Sequence, residues 1–169
     1  MSIKSELLQS YSKHNTVRVA KLIGQDTDLF KELMLIYFDA KDMDLARKAA
    51  WVFRHCVDEY PDLIQPYLRK LVKYLSKENH HDAIKRNGLA ILQGISIPKK
   101  LYGPVTKICF EFIQNGKEAI AIKAYSMSIL DNIGEDIPEI RKELKLILQD
   151  LLPYESAGFK SRARKILSK

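Results

Sequence analysis

A chain of 169 residues is long enough for one domain with a substantial core, and its 46% apolar and 29% charged residues are ordinary for a folded protein rather than a disordered one. No apolar run approaches the ~18 residues that a bilayer crossing needs, and Lys4 and Glu6 interrupt the N-terminal apolar residues, so neither a membrane span nor a signal peptide is expected. The net charge of +7 is mostly terminal, because Lys160, Arg162, Arg164, Lys165 and Lys169 supply +5 of it with no acid among them. A nearly neutral body argues against a long phosphate-binding groove.

In chain order, Ile3 to Tyr11 is a short helix candidate, with Ile3, Leu7, Leu8 and Tyr11 near helical spacing. Asn15 or Thr16 is positioned to cap a second helix that stops near Gly24. Asp26-Thr27-Asp28 opens a third, through Phe38, with Leu29, Leu33, Ile36 and Tyr37 in its apolar set. The acidic loop 39–42 leads to a helix from about Met43 to Val57. Beyond it, Pro61, Pro98 and Pro138 each mark a helix start, where a fixed φ and a missing N–H do no harm. Each proline precedes an amphipathic run: Ile64 to Leu75, Val105 to Phe112, and Ile140 to Leu151, the last halted by Pro153. No strand alternation is visible. Cys56 and Cys109 fall inside helical patterns without CxxC spacing and read as buried thiols in a reducing compartment, the cytoplasm.

The segment DLARKAAWVF, residues 44–53, returns 38 positions later as DAIKRNGLAIL, residues 82–92, and again as IAIKAYSMSIL, residues 120–130. Arg47, Lys85 and Lys123 share one register, with weaker copies around Arg18 and Arg162. A period in this range is the mark of stacked repeats. Small residues at Ala49-Ala50 and Asn87-Gly88 would let neighbouring helices approach closely.

The alternation of an L-x-x-L helix, a polar loop and a D-x-x-[AVI]-[RK]-x-A-A helix resembles the HEAT repeat. The third copy departs from it, with Tyr125 and Ser126 where small residues are usual. The resemblance implies an all-α fold, a short right-handed α-α superhelix of HEAT/ARM type with four to five helix pairs. It would form a single domain over residues 1–169, with repeats near 27–58, 62–95, 99–133 and 138–168 and a partial one at 14–26. The C-terminal AGFKSRARKIL also resembles a small bacterial family of single-domain HEAT-like proteins to which adenylosuccinate lyase names attach. The chain lacks that superfamily's S-S-x-M-P-x-K-x-N loop, so the resemblance implies no lyase activity.

Several constellations bear on function. The ladder Arg18, Arg47, Lys85, Lys123 and Arg162 reads either as phosphate contacts or, as the HEAT resemblance implies, as structural pairs, with Asp44, Asp82 and Glu118 as candidate acids. Lys48, Trp51 and His55 share a helical face, with register equivalents Arg86, Leu89 and Gln93, then Met127 and Asp131. In HEAT-like stacks the second helices line the concave surface, which makes these eight residues partner-binding candidates, with Trp51 either a hot spot or a core filler. Neighbours on a helix point about 100° apart, so His55 and Cys56 cannot form an activated Cys–His pair. His80-His81-Asp82 is weak as a metal site, and Asp39, Asp42 and Asp44 lack calcium-loop spacing. No phosphate-loop, dinucleotide, HExxH or GxSxG motif occurs, so no catalysis, cofactor, metal or small-molecule substrate is expected. The leading expectation is a non-catalytic scaffold for a protein partner. The alternative is sequence-independent nucleic-acid binding through Lys160, Arg162, Arg164 and Lys165.

Overall fold

The computed structural model describes residues 2–39, 41–77 and 79–169, with Asp39 as backbone only; Ala40, in the acidic loop expected at 39–42, lies outside the described residues. The described residues form helices and turns without a strand. The helices are α1 (Ile3–Leu8), α2 (Lys13–Ile23), α3 (Thr27–Asp39), α4 (Met43–Glu59), α5 (Leu68–Leu75), α6 (Asp82–Gly94), α7 (Tyr102–Gln114), α8 (Ile120–Asp136), α9 (Pro138–Leu151) and α10 (Ala157–Leu167). The all-α helix-after-helix architecture expected from the periodicity is what the chain adopts. By internal packing it falls into two compact units, residues 1–95 and 96–169.

Local chemistry sets the boundaries. Ser12, not Asn15 or Thr16, caps α2: its side chain accepts from the Asn15 N–H, while Asn15 turns its own amide to the carbonyls of Glu6 and Ser10. At the other end Gly24 takes a positive φ of +50, with ψ −124, a backbone conformation open to glycine, and donates to the Ala20 carbonyl. Asp42 caps α4 by accepting from the N–H groups of Asp44 and Leu45. The run after Pro61 is less regular than its apolar stripe suggests. Residues Pro61–Tyr67 form a 3-10 helix, and α-helix starts only at Leu68. The Pro66 ring crowds the carbonyl four residues earlier as well as lacking an N–H, which disfavours α-helix through this run.

In the first unit α4 is the hub, packed against α1, α2, α3 and α6. Its Ala46, Ala49, Ala50 and Phe53 are fully buried, and the small side chains allow the close approach expected of them. Tyr37 fills the space beside them, its ring 5.0 Å from Phe53 and its hydroxyl directed at the Ile84 carbonyl. In the second unit α8 holds the equivalent place, enclosed by α7, α9 and α10.

Candidate functional site

The α4 face opposite the alanines carries an aromatic cluster that is partly open to solvent. Trp51 is half-buried rather than sunk in the core. Its ring meets the edge of Tyr11 at 5.6 Å and lies 6.4 Å from the His55 ring. Tyr11, past the end of α1, is 46% exposed. Arg47 lays its guanidinium 5.3 Å from the Tyr11 ring centre, a cation–π contact, and its Nε is buried without a hydrogen-bond partner. Lys48 reaches back one turn to Asp44 at 3.0 Å. His55 also lines a small pocket of about 140 Å³ with Val17, Ala20, Lys21, Glu59 and Tyr60, so the aromatic row ends in a recess between α2 and α4.

The remaining candidates divide. Arg86 is exposed and Gln93 half-exposed on α6, but Leu89 between them is fully buried. Met127 is likewise fully buried, and Asp131 is 4% exposed. These three are corrected from surface to interior residues. Equal register does not bring equal exposure: every residue from Asn87 to Leu92 is buried, and α8 is covered on three sides. Asp131 is already spoken for: Arg141 donates from Nε to its carboxylate at 2.7 Å and from a terminal nitrogen to its carbonyl at 2.8 Å, and Lys169 closes on the other oxygen.

The basic ladder is structural in four of its five positions, by varied means. Arg18 binds Glu6 at 2.7 Å together with Asn15 and Gln9. Lys85 lies 3.7 Å from Asp82, the acid expected for it. Lys123, 2% exposed, pairs with Glu155 at 2.5 Å. Arg47 rests on Tyr11 instead of an acid, and Asp44 goes to Lys48. Arg162 has no ion pair among the described residues.

The basic C-terminal segment is a helix. Ser156 caps α10, which buries Phe159, Ala163 and Ile166 and leaves Arg164 and Lys165 exposed, with Lys160 and Arg162 half-exposed. The two thiols are inert: burial pushes Cys56 and Cys109 up to about 12, so neither supplies a nucleophile at neutral pH. His80 is occupied by the Tyr74 carbonyl at 2.7 Å, and His81 caps α6 through Nδ1. Among the described residues no three His, Cys, Asp or Glu side chains converge as metal ligands, and no helix is long and apolar enough to cross a membrane. Sequence reasoning missed Tyr11 as Trp51's partner. Forty positions separate them, and no local pattern announces the contact.

Helices that follow one another through short turns, with small residues at their crossings, make this an α-helical repeat protein. The HEAT repeat domain model matches residues 3–169, and the chain belongs to that family. No curated protein and no solved structure matches it.

Proposed function

We propose that this chain is a non-catalytic scaffold that binds a polypeptide partner through the outer side of α4 and the neighbouring polar edge of α6. The observation that carries the reading is Trp51, half-exposed on a rigid helix between Tyr11 and His55 and flanked by Arg47 and Lys48. Aromatic anchors held by packed secondary structure, with cations at their rim, are the composition of interaction hot spots. Arg86 and Gln93 extend the polar part of that surface. HEAT repeats commonly serve as interaction scaffolds, which supports the general reading.

Trp51 is the single tryptophan of the chain, so its fluorescence reports on this face alone. Peptides selected from a random display library against the full chain should shift Trp51 emission, and Trp51→Ala should weaken them by about 2 kcal/mol, roughly thirtyfold. Selected peptides that bind Trp51→Ala as tightly as the parent, or a library that yields no binder, would overturn the assignment.

A second reading, nucleic-acid binding through α10, is favoured by one observation. Lys160, Arg162, Arg164 and Lys165 lie on one short helix, and none has an ion pair among the described residues. Backbone phosphates would be its ligands, without sequence preference.

A further inference from the structure

A cleft of about 410 Å³ opens where α3, the end of α4 and the 3-10 turn meet, within the first unit. Phe30, itself only 1% exposed, lies beneath it in an edge-to-face contact with the Tyr67 ring at 5.7 Å, and half-buried Tyr60 and Tyr67 are the rings that border the opening. Pro61 and Pro66 complete the wall, and both lack an N–H. Glu59 and Asp62 are exposed at the rim, and neither makes an ion pair or side-chain hydrogen bond among the described residues. The remaining lining side chains are neutral: among the described residues no Lys, Arg or His borders this cleft, in a chain whose net charge is +7.

We propose that this cleft receives a lysine or arginine side chain of the polypeptide partner. Aromatic walls bind a cation through the negative faces of their rings, and the two rim carboxylates supply the opposite charge. A cavity of this size also accommodates the aliphatic stem and the flanking peptide, and its apolar floor suits the methylenes that such side chains bury beneath a charged head. Glu59 and Tyr60 border both this cleft and the recess beside His55, one helical turn from Trp51, so the two features lie on neighbouring parts of one surface. The assignment rests on the proposed role as a polypeptide scaffold and adds the chemistry that one position of the partner must have.

Chemical-shift titrations of the full chain with capped tripeptides test it. The probes are acetyl-Gly-Arg-Gly-amide, acetyl-Gly-Lys-Gly-amide, the norleucine analogue and spermidine. The cationic tripeptides should move the amides of Glu59, Tyr60, Asp62 and Tyr67, whereas the norleucine analogue should leave them in place. Glu59→Gln with Asp62→Asn, both exposed and so compatible with folding, should weaken the cationic tripeptides roughly tenfold, and added salt should do likewise. Equal shifts from the norleucine analogue, or no shift from any probe, overturn the assignment. Binding of spermidine without either tripeptide also overturns it, making the cleft a site for free amines. If display peptides still depend on Trp51 while the cleft stays silent, only the cleft assignment fails; if no peptide engages Trp51, the scaffold reading fails independently.

Discussion

The Lys123–Glu155 pair shows how one position of a regular ladder becomes structural. Lys123 is almost wholly buried, with its ammonium 5.5 Å from the Phe159 ring as well as on Glu155. Glu155→Ala would leave that charge unpaired in the interior and should destabilise the fold by about 3 kcal/mol in urea unfolding. The double change Lys123→Met with Glu155→Leu should be close to neutral, since it removes both charges together. His80 makes a different prediction. Burial lowers its pKa despite the Tyr74 carbonyl contact that favours the protonated ring, and Lys77 and Lys85 lower it further. Well above pH 6.5 the ring is neutral in both folded and unfolded chains, and it adds no pH dependence. As pH falls below that, the unfolded chain takes up the proton first, so stability declines. Urea midpoints between pH 7.5 and 5 should show this decline, and His80→Gln should remove its share.

At the scale of elements, glycine decides the closest crossing. A Cβ on Gly134 would stand 2.7 Å from the Cβ of Arg141 and 3.2 Å from its Cα and N, so α9 lies directly on the α8 backbone there. Gly134→Ala must push the two helices apart and should cost about 1–3 kcal/mol, read as a fall in Tm. Gly94→Ala, with no neighbouring atom within 4 Å, should be neutral or slightly stabilising. Gly88 is the milder version, its added Cβ meeting flexible Leu75 atoms at 3.0 and 3.1 Å and the Tyr37 hydroxyl at 3.2 Å. The small pair Asn87-Gly88 is legible as a crossing point because it recurs in register with Ala49-Ala50. Gly134 is not, since it lies outside the repeated segment and its contact belongs to the next helix. The 3-10 turn at Pro61–Tyr67 was half legible. Both prolines are visible, but the apolar stripe runs through them and masks the change of helix type.

For the whole molecule, net charge is a poor guide to partners until its positions are known. Removing residues 160–169 is no clean test of nucleic-acid binding, because it strips Ala163 and Ile166 from the core and Lys169 from Asp131. The triple substitution Arg162→Gln, Arg164→Gln, Lys165→Gln leaves those contacts in place. With labelled DNA, fluorescence anisotropy of the parent chain should show weak binding that is lost near physiological salt, and the triple variant should flatten the salt dependence further. Sub-micromolar binding that persists at physiological salt and disappears in the triple variant would move nucleic acid ahead of polypeptide as the partner.

Sequence alone determined the helical class, the membership of a repeat architecture, the prolines that start helices and the positions of most turns. All of these follow from local periodicity and from backbone chemistry that acts within a few residues. The ion-pair partners, the burial of Leu89, Met127 and Asp131, and the meeting of Tyr11 with Trp51 were decided by tertiary structure. So was the cleft at Phe30, Tyr60 and Tyr67. Register assigns a face to each copy of a repeat, but exposure depends on how many helices surround that copy. α4 leaves Trp51 at its edge, whereas α8, enclosed by α7, α9 and α10, draws even an aspartate inward and meets its charge with Arg141 and Lys169.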